Sequence, residues 1–166
     1  MEPEKFSYES MGTRFEISIW DKIDGTKFFV LQAEIIKRSQ DFDALYSRFK
    51  KDSLVWKIAE NPGIHEVLED LVKMLRLYQE LYGPSERKLN PLIGFTISDM
   101  GYDADYSLAP KDIIRLVPDL DQALEIIDDT HIKTNQSVLI DLGALGKGYF
   151  VDRLSDFLKD EGIGRF

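Results

Sequence analysis

Ser137-Val138-Leu139-Ile140-Asp141-Leu142-Gly143-Ala144-Leu145-Gly146-Lys147-Gly148-Tyr149-Phe150 is the stretch on which the reading turns, because an apolar run passes straight into a glycine-spaced turn. Ser137 to Ile140 reads as a buried strand. Phe150, Leu154, Phe157 and Leu158 then recur at helical spacing, and Gly162 closes that helix. A strand-to-helix junction of this kind directs backbone N–H groups and the positive end of a helix dipole at one spot, where phosphate binds readily. Gly143, Gly146 and Gly148 permit close approach, and Lys147 supplies a point charge. Glycines also occur at such turns for packing alone, so the residues by themselves leave both readings open. A Walker A loop is excluded, since two residues rather than four separate Gly143 from Gly146 and Gly148 stands where Ser or Thr is needed. The Rossmann fingerprint fits poorly, because the order of the glycine spacings is reversed.

Working outward, Phe6 to Trp20 alternates with Phe15, Ile17 and Ile19 on one face, the period of a half-buried strand. Met11-Gly12-Thr13 interrupts it, which points to a bulge or hairpin corner, or to a close backbone approach by another group. After Asp24-Gly25, Phe28, Leu31, Ile35, Phe42, Leu45 and Phe49 predict a long amphipathic helix running into Tyr46-Ser47-Arg48-Phe49. Asp52-Ser53 reads as an N-cap for a short helix that Pro62-Gly63 ends. Leu68, Leu71, Val72, Leu75 and Tyr78 predict another helix, stopping at Gly83-Pro84. Lys88 to Leu108, with Asn90-Pro91, Gly94 and Gly101, reads as a loop with short helical pieces. Ala123 to Ile127 and His131 to Thr134, flanking Asp128-Asp129, read as a hairpin. The class is mixed α+β, with no internal repeat or linker, and 166 residues suit one domain.

Composition narrows the function classes. Apolar residues make up 43% and charged residues 31%, a profile that folds. The 30 acidic against 21 basic residues leave a net charge of −9, which disfavours nucleic acid or an anionic membrane as main partner, so any anion site must be local. With no cysteine there is no disulfide, thiolate nucleophile or zinc-thiolate cluster. Met1-Glu2-Pro3-Glu4-Lys5 lacks the features of a signal peptide, and no segment reaches the roughly 18 apolar residues of a membrane helix. If Met1 is the native start, a cytoplasmic location is expected. Asp103-Ala104-Asp105 lacks the glycine and glutamate of a calcium loop and reads as a solvated turn. Asp41, Asp43, Asp119 and Asp121 read as caps or surface groups, and His65 and His131 are too isolated for a zinc site or a Ser-His-Asp arrangement. Arg48, Lys50 and Lys51 beside Phe49 could meet a phosphorylated aromatic ligand, but the pattern reads first as a solvated charge run.

Taken in order, Met11-Gly12-Thr13, Tyr46-Ser47-Arg48-Phe49 with Asp52-Ser53, Leu89-Asn90-Pro91-Leu92-Ile93-Gly94, and Asp141 through Asp152 resemble the FAD:protein FMN transferase family, also called ApbE. The resemblance implies an ApbE-like, T-fold-like sheet-and-helix domain over residues 1–166, corresponding to the N-terminal part of the family pattern and lacking its C-terminal half. It implies an enzyme that binds FAD, holds Mg²⁺ at the pyrophosphate, transfers FMN to a Thr or Ser hydroxyl of an acceptor protein, and releases AMP. By the family pattern Met11 lies against the flavin, Phe49 lines the pocket, and Lys88, Leu89 and Asn90 form a backbone ledge beside FAD. Asp141 and Lys147 match FAD-contacting positions, and Ala144 matches a metal ligand acting through its backbone carbonyl. No catalytic residue is assigned. Phe49 stands where many members have Tyr, Asn90 where many have Asp, and Gly146 where Ala is frequent. The later metal-ligating segment of the family has no counterpart here, and Gly162 to Phe166 resembles the approach to a further strand. The expectations are therefore a transferase half that pairs with itself or with a missing C-terminal half. A non-catalytic flavin-binding module and an FAD pyrophosphate hydrolase are the alternatives.

Overall fold

The computed structural model describes residues 2–166. They divide into two units: a terminal unit made of the stretch through Ala44 with Lys147–Phe166, and a middle unit, Leu45–Gly146.

In the terminal unit, strands β1 (Glu4–Ser10) and β2 (Thr13–Ile19) pair antiparallel, with Ser10 opposite Thr13 and Glu4 opposite Ile19. Met11 and Gly12 form the two-residue corner at φ of +50° and +66°. Two left-handed residues are what a tight hairpin needs for its twist to match the strands. A Cβ on Gly12 would meet nothing within 4 Å, so its glycine answers to conformation and not to a close neighbour. Helix α1 (Gly25–Tyr46) begins where Asp24 Oδ1 accepts the Lys27 N–H at 2.9 Å. Its Leu31 and Ile35 join Phe6, Ile19, Phe150 and Leu154 in one buried cluster. Full burial of side chains of this size contributes about 1.5–3 kcal/mol each. Helix α6 (Gly146–Asp160) ends at Gly162 with φ of +78°, and the Ile163 N–H bonds back to Leu158 O at 2.9 Å, with Ile163 buried beside Leu158. This left-handed stop satisfies carbonyls the helix would otherwise leave open. Beyond it, Trp20 N–H donates to Arg165 O at 2.9 Å, and Asp21 Oδ2 accepts from the N–H groups of Gly164 and Arg165.

The middle unit carries helices α2 (Leu54–Glu60), α3 (Glu69–Tyr82), α4 (Gly94–Asp99) and α5 (Leu120–Ala123), with a 3-10 turn at Pro91–Ile93. Ser53 caps α2 as expected, its Oγ accepting the Trp56 N–H at 3.4 Å. Strands β3 (Ile64–Glu66), β4 (Leu124–Ile126) and β5 (His131–Thr134) form an antiparallel sheet in the order β3-β5-β4. The β4-β5 hairpin matches the sequence reading, except that Ala123 ends a short helix instead of starting the strand.

One expectation is corrected. Ser137 to Ile140 is not a strand, although Val138, Leu139 and Ile140 are fully buried. Its backbone meets a helical corner: Gly94 N–H donates to Leu139 O at 3.1 Å, and Asp141 N–H donates to Pro91 O at 2.7 Å. A Cβ on Gly94 would collide with the Leu139 carbonyl, so only glycine lets α4 start this close to the segment. No helix among the described residues is long and apolar enough to cross a membrane.

Candidate functional site

Three of the motif segments converge inside the middle unit on Asp141. Its carboxylate Oδ2 accepts from Arg48 Nε at 2.5 Å, and its Oδ1 accepts the Gly143 N–H at 2.7 Å. Its carbonyl accepts the Tyr78 hydroxyl at 3.3 Å, and its N–H goes to Pro91 O, next to Asn90. Burial, with the Asp141 charge adding to it, pushes the Tyr78 hydroxyl up to about 12, so it stays a proton donor at neutral pH; the Ala144 and Leu145 N–H groups oppose that shift.

Three N–H groups expected to cradle a phosphate are taken up within the turn. Gly143 N–H is taken by the Asp141 side chain, and Leu145 and Gly146 N–H both bond to Leu142 O, at 3.2 and 2.6 Å. The turn supplies partners for these donors itself. The ligand-facing capacity of the segment therefore lies in the Asp141 carboxylate, whose side chain is 15% exposed, and in the exposed first turn of α6 with Lys147.

Arg48 is the residue the sequence reading undervalued. It is not part of a solvated run but 4% exposed. Besides Asp141 it bonds Tyr102 O through Nη1 at 2.7 Å and Ser98 Oγ at 3.3 Å, while its own carbonyl accepts Trp56 Nε1–H at 2.6 Å. Its guanidinium carbon lies 4.1 Å from the Phe49 ring centroid and 4.8 Å from that of Tyr102. Nη2 is buried without a hydrogen-bond partner. Arginine at a carboxylate, flanked by aromatic rings, is a common arrangement for recognising planar or anionic groups. The signal that could have found it was its position in the Tyr46-Ser47-Arg48-Phe49 segment; the partner, 93 residues away, was not visible.

Phe49 is half-buried and stacks on Tyr106, centroids 5.2 Å apart at 3°, with Tyr102 edge-on at 5.3 Å. Tyr102 and Tyr106 were not singled out from sequence. Lys88 is exposed and pairs with Glu86 at 2.5 Å, while Leu89 N–H donates to Ser85 Oγ at 3.1 Å. Asn90 is buried, and both ends of its amide serve the fold: Oδ1 accepts the Leu92 N–H at 2.9 Å, capping the 3-10 turn, and Nδ2 donates to Pro118 O at 2.8 Å. Met11 and Lys147 belong to the terminal unit, Met11 at the hairpin corner against its core and Lys147 in the first turn of α6.

For a magnesium ion the fit is poor. Ala144 sits in the exposed turn and can offer one carbonyl oxygen. Each oxygen of Asp141 already accepts one hydrogen bond, and no group of three or more His, Cys, Asp or Glu among the described residues could hold an ion. Magnesium asks for octahedral oxygen ligation, commonly with one or two carboxylates.

Residues 11–166 match the model of the ApbE family. The "FAD:protein FMN transferase" of Escherichia coli (strain K12) is 26% identical over 172 residues, covering 95% of this chain and 48% of the relative. The chain thus spans about half the length of the curated relatives it matches. Among solved structures, a mutant of the flavin transferase ApbE from Vibrio cholerae is similar with a TM-score of 0.81 at 22% identity, over 98% of this chain and 58% of that one. The apo form of the Pseudomonas stutzeri flavinyl transferase ApbE gives 0.81 at 19% identity, over 98% and 53%. At these identities the likeness is one of fold, and it bears out the α+β, ApbE-like reading.

Proposed function

The chain belongs to the ApbE family, and from that premise we propose that it serves in moving FMN from FAD to a Thr or Ser hydroxyl of an acceptor protein. In that reaction the hydroxyl oxygen bonds to the phosphorus of the FMN half, the pyrophosphate P–O bond breaks, AMP leaves, and the hydroxyl proton passes to water. Such transfers depend chiefly on positioning and on charge placed around the phosphoryl group. The observation that carries the reading is the convergence of Arg48, Phe49 and Asp141 within hydrogen-bonding and stacking distance of one another.

In this reading the middle unit's Asp141 accepts hydrogen bonds from the ligand and its Phe49 meets the flavin, while the roles of Met11 and Lys147, which belong to the terminal unit, rest on the family resemblance alone. The backbone of Lys88, Leu89 and Asn90 borders it; the Asn90 side chain is spent on the 3-10 turn. Magnesium would find few oxygens here, the Ala144 carbonyl and the open side of the Asp141 carboxylate. The second reading is a flavin-binding module without turnover.

The test is incubation of the chain with FAD, Mg²⁺ and a threonine-containing acceptor peptide. Covalent flavin on the peptide with matching AMP is the expected result. FAD binding with an unlabelled peptide and no AMP would instead support the binding module, and FMN with AMP but no labelled peptide a hydrolase. Failure to bind FAD at all would contradict every flavin reading.

A further inference from the structure

We propose that the Gly101–Leu108 loop is a self-stacking lid, its Tyr106 ring occupying the face of Phe49 that an incoming flavin ring would take. The inference rests on the flavin reading of this site and adds a regulation to it.

The Tyr106 and Phe49 rings lie 5.2 Å apart and 3° from parallel, which is the arrangement a planar ligand ring would adopt on Phe49. Tyr106 nonetheless remains 53% exposed, so its ring is laid over the surface and is not part of the core. Its backbone has φ of +50°, and that of Leu108, itself 76% exposed, has +51°. Left-handed backbone at bulky residues persists only where the surroundings impose it, and such strain clusters at clamps and switches.

The tip of the loop is braced as one piece. Asp103 Oδ1 accepts the N–H groups of Asp105 and Ser107, both at 3.0 Å, and Oδ2 accepts Ser107 Oγ–H at 2.7 Å. Leu108 N–H closes the base on Gly101 O at 2.9 Å. Gly101 has φ of +99°, and a Cβ there would lie 2.6 Å from Ala109 N, so the base admits only glycine. The tip beyond Tyr102 lies between two anchors: Arg48 Nη1 holds Tyr102 O before it, and buried Asp99 holds Lys111 and Arg115 after it. Between those anchors the braced tip carries Tyr106.

What lies beside the rings gives the ligand something to gain. Arg48 Nη2 is a buried donor with no acceptor, on a guanidinium packed against Phe49 and Tyr102. A buried unsatisfied donor is costly, and the carbonyl and phosphate oxygens of a flavin nucleotide are acceptors. Exchange of Tyr106 for the ligand ring would trade one stack for another, on a Phe49 ring whose neighbouring guanidinium still has donors to give.

The experiment is an FAD titration, read by quenching of flavin fluorescence, on the wild-type chain, Tyr106→Ala and Tyr106→Phe, with hydrogen exchange of residues 101–108 followed with and without FAD. Removing a competing internal ring raises the fraction of binding-competent protein, so Tyr106→Ala is expected to bind FAD about 3- to 10-fold tighter. Tyr106→Phe keeps the ring and should match wild type, and FAD should raise exchange across the loop. Thermal melting of Tyr106→Ala near that of wild type, in keeping with an exposed side chain, ties the change to the lid. Equal or weaker binding by Tyr106→Ala, or slowed exchange on adding FAD, would overturn the lid while leaving the flavin reading intact. No FAD binding by any of the three would overturn both.

Discussion

Two aspartates of the middle unit each meet an arginine, and the hydrogen bonds are shared out in opposite ways. Asp99 has a side chain only 2% exposed and is saturated from outside: Arg115 Nε and Nη2 at 2.6 and 2.7 Å, Arg115 N–H at 3.2 Å, and Lys111 Nζ at 2.8 Å. Both cations are roughly half exposed, and Arg115 also packs on Phe95 at 3.9 Å. At Asp141 the arginine is the buried partner, at 3% side-chain exposure, and the carboxylate is the more open one at 15%. Arg48 there divides its donors among Asp141, Ser98 and Tyr102 and keeps Nη2 unused. A carboxylate with every lone pair answered by the fold is holding a chain segment in place. A buried guanidinium with a spare donor, packed on an aromatic ring beside a partly open carboxylate, has capacity left for a ligand. Composition cannot tell the two apart, since both are Asp with Arg.

The comparison can be broken most forcefully at Arg48. Arg48→Ala strips a buried cation from Asp141 and leaves a cavity under Phe49, so the expected loss of unfolding free energy is about 3–4 kcal/mol, with FAD binding abolished. Urea denaturation and fluorescence titration read the two effects. Asp99→Ala is expected to cost less, about 2–3 kcal/mol, because its partners return to water, and to leave FAD affinity within about twofold of wild type. The pH dependence of the Asp99 contribution has a definite sign. Hydrogen bonds from Arg115 hold the Asp99 carboxyl well below the usual carboxylate range. Its contribution is therefore fully present above the unfolded value, about 3.9, and is lost as pH falls from there toward the folded value. The stability gap between wild type and Asp99→Asn should be constant above about pH 5 and shrink below about pH 4. Gly94→Ala, which forces α4 away from Leu139 and so loosens the Pro91–Asp141 contact, is expected to cost about 2 kcal/mol and to weaken FAD binding. The smallest effect belongs to Tyr78→Phe, which removes the hydrogen bond to Asp141 O and is expected to cost about 1 kcal/mol.

Much of the architecture was legible from periodicity and caps: the β1-β2 hairpin, α1 through α3, the β4-β5 hairpin and α6 all lie where the apolar spacing puts them. The Ser137 to Ile140 run was misread because a short apolar stretch only reports burial, and burial here is against a helical corner instead of a strand. Strand β3 escaped notice because three residues with exposed Ile64 carry no alternation to detect. The segments of the candidate site were visible as a family resemblance, but their connections were not. Nothing local in Tyr46-Ser47-Arg48-Phe49 says that Arg48 turns inward to a carboxylate far along the chain, or that Tyr106 covers Phe49. The glycine turn was legible as a turn, whereas the use of its N–H groups by Asp141 and Leu142 depends on backbone geometry that no residue pattern encodes.

Under the proposed function, Asp141 with Arg48 faces a flavin ligand while Asp99 with Arg115 serves the fold alone. The most direct test is a side-by-side FAD titration of Asp141→Asn and Asp99→Asn, each paired with a melting curve. The account expects Asp141→Asn to lose at least about 10-fold in FAD affinity, and Asp99→Asn to melt lower than wild type while binding FAD normally. Wild-type affinity in Asp141→Asn, or an equal loss in both variants, would contradict it.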